Sequence, residues 1–367
     1  MSVVKLLKEL LSRPSVTPCE AGCFALIRDF LPEFTAERFD KNGVSNLLLT
    51  RKRSDGAHLC FAGHIDVVPA KAGWRSDPFA PLEQNGRITA RGAQDMKSGV
   101  AAFLSACKKS AFNGTLSILL TSDEEGAAEF GTAYVLDELK KRDRLPDMAV
   151  VAEPTSETVL GDTIKIGRRG SVNGKLTIFG KSGHTAYPQK CKNPIDDLAR
   201  LLPLISAAKI DDGDRYFPPS VLVISDIRSD NEITNVTPSN IALTFNIRNS
   251  TLSDESKIES YIKSALSRAG VKHYELFINS ASAPFLTRSK KLFIHLSEAI
   301  KETCGIEPAA STAGGTSDAR FFAVHNIETI EFGVPNDQIH SANESVEIKD
   351  VIKLEEVFIR LIERLSK

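Results

Sequence analysis

Four short apolar runs, "HLCFAGH", "TLSILLTS", "DMAVVAE" and "IETIEFGVP", lie between segments of helical periodicity. Each is short, apolar and bounded by turn or polar residues, so they read as buried strands. The helical partners are "DMKSGVAAFLSACKKSA", "SKKLFIHLSEAIKETCG", with Gly305 placed as its stop, and "IKDVIKLEEVFIRLIERLSK". Alternation of buried strands and amphipathic helices implies an α/β domain whose largely parallel sheet is flanked by helices.

The middle of the chain has a different texture. "SVNGKLTIFGKSG" and "SNIALTFNIRNS" alternate apolar with polar residues, and the helical stretches "NPIDDLARLLPLISAAK" and "SDESKIESYIKSALSRAG" separate them. That pattern predicts an α+β insert with one exposed sheet face. The expected organisation is therefore a catalytic domain of residues 1–170 and 284–367, interrupted by an inserted domain of residues 171–283. A length of 367 residues suits two domains.

Composition excludes several classes of partner. Forty-six basic residues balance 47 acidic ones, for a net charge of −1, so neither nucleic acid nor an anionic membrane is expected. The N-terminus places Val4, Leu6, Leu7, Leu10 and Leu11 on one helical face and reads as an amphipathic helix rather than a signal peptide. No apolar run approaches membrane-spanning length, and a cytoplasmic location is expected. The six cysteines are scattered; "CEAGC" has no second pair nearby and reads as two free thiols.

In open α/β sheets, ligands bind beyond the carboxyl ends of the strands. His64 and Asp66 follow the first run, Glu124 and Glu125 the second, Glu153 the third, and His340 and Glu344 the fourth, while Asp95 stands at the start of a helix. Singly, Asp95 is an N-cap, Glu153 a turn residue and His64 a hydrogen-bonded core histidine. Together at one sheet edge they form a His/carboxylate set without thiolates, which suits catalytic zinc. Two histidines and three carboxylates exceed what one ion needs and match two metals sharing a bridging carboxylate. Adjacent Glu124 and Glu125 diverge, so one is expected to bind metal while the other serves as general base. Asp66, two residues past His64, is placed to hydrogen-bond its imidazole. The neighbouring Asp123 reads as a solvated or capping carboxylate.

"GHIDVVP", "RGAQDMKSG", "TSDEEG", "VAEPT" and "IHSANE" resemble, in order and spacing, the motifs of the co-catalytic zinc aminoacylase and carboxypeptidase family. The resemblance covers essentially the whole chain. It implies two Zn2+ per subunit, with Co2+ or Mn2+ as substitutes. His64 and Glu153 would bind one ion, Glu125 and His340 the other, and Asp95 would bridge them. Glu124 would be the general base and Asp66 the partner of a ligating histidine. Ile65 departs from the family's usual Thr, and Gln94 stands where a small residue is common.

"GRRGS", "GHTAYP", "TNVTP" and "STAGGTSDARF" narrow the resemblance to one branch, which cleaves an amide in a small anionic substrate. Other amidohydrolases of the family, such as acetylornithine deacetylases, aminoacylases and dipeptidases, are the alternative. The branch implies a homodimer formed through the inserted domain, with His184 stabilising the oxyanion in the partner's site. Arg168, Tyr187, Asn235, Arg248, Gly315 and Thr316 would contact substrate. The two arginines suit a substrate carrying carboxylates, and the paired glycines of "STAGGT" suit close backbone approach.

Overall fold

The computed structural model describes residues 1–366. The chain divides into two compact units: Met1–Gly167, Thr287–Ser311 and Ser317–Lys367 form the first, and Arg168–Leu286 with Thr312–Thr316 the second.

In the first unit the four apolar runs become neighbours. Thr115–Thr121, His58–His64, Met148–Val151 and Glu328–Glu331 lie side by side and parallel. Their side chains are almost all buried, because helices flank the sheet and leave no polar face. Parallel order sends all four carboxyl ends to one edge, and the acidic and histidine residues follow there. The sheet is mixed at its margins. Asn46–Lys52 joins Thr115–Thr121 antiparallel and pairs with Thr35–Arg38 through a turn, with Asn42 and Gly43 at φ +51° and +83°. On the other side Thr163–Lys165 pairs antiparallel with Glu328–Glu331 and parallel with Ala309–Ser311.

The helix Val3–Leu11 starts at Ser2, whose hydroxyl accepts the Lys5 N–H. Leu6, Leu7, Leu10 and Leu11 are fully buried, each contributing about 2 kcal/mol. Val3, not Val4, completes that face. This helix packs on Lys97–Lys109, which in turn packs on Ile348–Leu365. Lys97 Nζ donates to the carbonyls of Leu10 and Arg13, at 2.9 and 3.0 Å. A Cβ on Gly99 would stand 2.2 Å from the Ala152 carbonyl, so glycine is what lets this helix approach the strand end that carries Glu153. Helix Lys291–Cys304 ends at Gly305, with φ +72°.

The second unit contains a four-stranded antiparallel sheet in the order Val221–Ser229, Asn240–Arg248, Ser171–Phe179 and Tyr274–Ser282. Helices Pro194–Ile205 and Glu255–Arg268 cover one face, around Leu176, Ile178, Leu243, Ile247, Ile258 and Ile262. The other face is exposed, with Val223 and Phe277 outward. This is the alternation visible in "SVNGKLTIF", whose inward residues are buried and outward ones exposed. Residues 312–316 group with this unit, where Arg168 Nη1 donates to the Ala313 carbonyl.

Among the described residues no helix is long and apolar enough to cross a membrane, and all six cysteines are free.

Candidate metal centre

His64 is the last residue of its strand and is 1% exposed. Its Nδ1–H donates to the backbone carbonyl of Asp66 at 2.9 Å, which turns Nε2 toward the carboxylates. Nε2 lies 3.2 Å from Asp95 Oδ1, 3.9 Å from Glu153 Oε1 and 4.0 Å from Glu124 Oε2. The expected carboxylate–imidazole contact is replaced by this backbone one. Asp66 Oδ1 stands 3.6 Å from Nδ1 because its carboxylate is engaged by Thr17 Oγ1 and by the N–H groups of Glu124 and Glu125.

Asp95 does not cap the helix. Met96 holds the N-cap position, and the Asp95 carboxylate instead faces two imidazoles. His64 Nε2 approaches Oδ1 and His340 Nε2 approaches Oδ2, the latter at 3.3 Å. His340 also meets Glu125 Oε1 at 2.8 Å. It sits on a turn with φ +60°, in the left-handed region that few non-glycine residues adopt, and its side chain is half-exposed. The two adjacent glutamates diverge as expected, Glu125 to His340 and Glu124 toward His64.

The donors fall into two groups, His64–Asp95–Glu153 and Asp95–Glu125–His340, each with its atoms within 4.8 Å of one another and with Asp95 common to both. His64, Glu124 and Glu125 make a third such set. Imidazoles and carboxylates converging on a shared carboxylate fit a pair of divalent cations. Protonation reflects the crowding. Burial opposes ionisation of Asp95, yet the His340 and His64 hydrogen bonds hold its carboxyl below the ordinary value. Burial, with Asp95 and Glu124 nearby, pushes Glu153 well above the carboxylate range. Burial lifts the Glu124 carboxyl to about 8, against the pull of His64 and with the help of Asp318, Asp95 and Glu125.

The model of peptidase family M20/M25/M40 matches residues 60–364, a span that contains every donor of this centre. The chain belongs to that family. It is a hydrolytic enzyme. The succinyl-diaminopimelate desuccinylase of Sulfurovum sp. (strain NBC37-1) is 52% identical over 369 residues, covering 100% of both chains. Among solved structures, aminopeptidase PepT from Bacillus cereus superposes with a TM-score of 0.81 at 21% identity, covering 100% of this chain and 98% of its own. The YXEP protein of Bacillus subtilis, described as a dinuclear metal-binding peptidase of the M20 family, gives 0.74 at 14% identity, covering 99% and 97%.

Other residues of this M20 chain support the centre in ways that residue type alone does not reveal. Glu344, placed among the metal-ligand types, spends both oxygens elsewhere. Oε1 accepts the N–H of Gln94 and Asp95, and Oε2 accepts the N–H of Gly92 and Arg91 Nη1. Asp123 is a buried capping carboxylate whose Oδ2 accepts the N–H groups of Glu129 and Phe130. Asp318, fully buried in "STAGGTSDARF", accepts from Thr132 Oγ1 through Oδ2 and adds negative charge beside Glu124. Its position in a run rich in glycine and hydroxyl residues gave no cue to that burial. The thiols of "CEAGC" join none of the metal-competent groups.

The remaining predicted residues lie in the second unit. His184, Tyr187 and Asn235 cluster where Gly183–His184 pairs with Val236–Thr237. All three are exposed, with the His184 and Tyr187 rings edge-on at 6.0 Å. Arg168 is buried against the 312–316 segment, which also carries Gly315 and Thr316. A Cβ on Gly314 would meet Arg168 Nη1 at 2.5 Å. Arg248 ends its strand exposed.

Proposed function

We propose that this centre hydrolyses the amide bond of N-succinyl-LL-2,6-diaminopimelate to succinate and LL-2,6-diaminopimelate. The observation that carries the reading is Asp95 presenting one oxygen to each of two imidazoles, His64 and His340. The substrate comes from the full-length likeness to the Sulfurovum desuccinylase and from the four stretches around Arg168, His184, Asn235 and Gly315.

His64 and Glu153 would hold one Zn2+, Glu125 and His340 the second, and Asp95 would serve both; Co2+ or Mn2+ could substitute. Cations held there would supply acidification of water, polarisation of the scissile carbonyl and a lower Glu124 pKa. Glu124 takes a proton from the attacking water and returns it to the leaving nitrogen, a task suited to a carboxyl that burial holds near neutral pKa beside the metal-competent groups. Asp66 keeps Glu124 and Glu125 in place through their backbone N–H groups.

The inserted unit makes the protein a cytoplasmic homodimer, in which His184 of one copy stabilises the oxyanion in the site of the other. Arg168 and Arg248 pair with substrate carboxylates, and Tyr187, Asn235, Gly315 and Thr316 complete the contacts.

The deciding experiment offers N-succinyl-LL-2,6-diaminopimelate and N-acetylornithine separately to the zinc-loaded protein and follows release of each amine. The succinyl substrate is expected to react with kcat/KM at least about 100-fold higher, because an acetyl group lacks the second carboxylate that the arginines would pair. Preference for the acetyl substrate would overturn the assignment.

A further inference from the structure

The turn that carries His340 is exposed, and apolar packing does little to hold it: Asp337, Ile339, His340 and Ser341 all face solvent. Its position relative to Asp95 must therefore come from polar anchors. Arg91 Nη2 donates to the His340 carbonyl at 3.3 Å, and a single side chain, that of Gln94, ties down both flanks of the turn. Gln94, 2% exposed and adjacent to Asp95, donates from Nε2 to Asp337 Oδ1 at 2.8 Å and to the Ser345 carbonyl at 3.0 Å. Its Oε1 accepts the Gln338 N–H at 2.9 Å. These three contacts bracket His340 on both sides, at 337–338 and at 345. The backbone N–H of Gln94 adds a fourth link, to Glu344 Oε1 at 2.7 Å. The amide touches none of the metal-competent donors itself.

We propose that Gln94 is a positioning residue that sets the approach of His340 to Asp95, and so controls how tightly the Glu125–His340 half of the centre holds its cation. The inference rests on the two-cation reading above. Apart from the shared Asp95, the His64–Glu153 half does not depend on this anchor. His64 is held at a strand end by the sheet and by the Asp66 carbonyl, and Glu153 follows a strand of the same sheet. An uncharged amide is suited to the task because it donates toward a carboxylate and a carbonyl while accepting from an N–H, which neither a carboxylate nor an aliphatic side chain can do.

The test is a Zn2+ titration of the metal-free, full-length protein against a competing chromophoric chelator. Wild type, Gln94→Met, Asp337→Ala, Gln94→Glu and the double variant Gln94→Glu/Asp337→Asn are compared. Wild type is expected to bind two equivalents, the weaker at the Glu125–His340 half, whose histidine stands on the exposed turn. In Gln94→Met the weaker equivalent should lose about tenfold or more in affinity while the tighter one changes less than about twofold. Asp337→Ala, on the exposed turn, should show the same selective loss in smaller degree, and it decides the matter if Gln94→Met does not fold. Gln94→Glu opposes two carboxylates and should also lose the weaker equivalent; the double variant restores a donor facing an acceptor and should recover part of it. Cobalt absorption should show the change only in the band belonging to the weaker equivalent. Two equivalents binding Gln94→Met and Asp337→Ala with wild-type affinities would overturn the role of Gln94 alone. A wild type that binds only one would overturn the two-cation reading and this inference with it.

Discussion

Across the gap between two neighbouring strand ends, the Asp66 carboxylate accepts the backbone N–H of Glu125 at 3.2 Å. The N–H of Glu124 approaches its other oxygen at 3.4 Å, and Thr17 Oγ1 donates at 2.7 Å. One carboxylate thus sets the turn on which both glutamates stand. Asp66→Ala strips an acceptor from three buried or half-buried donors. Turnover should fall by about 100-fold and zinc affinity should weaken. Asp66→Asn keeps one acceptor oxygen and should lose less. Steady-state kinetics with parallel zinc titration measures both, and wild-type behaviour of Asp66→Ala would contradict the anchoring role.

Glu124→Gln should keep the full complement of metal while turnover drops by about 10²–10⁴. The amide is nearly isosteric, so the fold and the neighbouring Glu125 are preserved, but it cannot serve as the base. Metal analysis beside the rate constant makes the distinction. A variant that loses metal along with activity would mark Glu124 as a ligand instead.

Cation binding should expel protons near neutral pH. Hydrogen bonds donated to Asp95 and Glu125 raise the His340 ring to about 10, and burial lifts the Glu124 carboxyl to about 8. Without cations both groups therefore carry protons at neutrality. A cation needs a neutral imidazole and favours carboxylates, so binding must release at least one proton, and affinity must climb as pH rises. Calorimetric titrations in buffers of different ionisation enthalpy read this directly. Binding heats independent of the buffer would exclude the predicted release.

Gly99→Ala tests how the fold supports the site. The added methyl would meet the Ala152 carbonyl, one residue before Glu153, at 2.2 Å. Helix and strand must separate, costing about 1–3 kcal/mol. The expected result is a lower thermal midpoint together with weakened binding at the His64–Glu153 half of the centre. An unchanged melting curve would show that the contact relaxes freely.

Much of this arrangement is readable from the chain itself, for a definable reason. Buried parallel strands are short continuous apolar runs, and the residues after them must gather at one edge, so His64, Glu124, Glu125, Glu153 and His340 declare themselves by position and type. Period-two alternation likewise marks Ser171–Phe179 and Asn240–Arg248. Marginal strands such as Thr35–Arg38 and Thr163–Lys165 are short and carry no such pattern.

What only the tertiary structure decided is where each oxygen and amide points. Asp66 meets His64 through its carbonyl while its carboxylate holds another loop. Glu344 has the composition of a ligand and acts as a backbone cradle; Asp123 caps a turn; Gln94 ties Asp95 to a segment more than 240 residues away. Carboxylates and amides have several equivalent ways to satisfy their oxygens and N–H groups. The choice among them depends on which unpaired backbone donors the folded chain brings within about 3 Å, and that is a property of distant segments in contact rather than of local sequence.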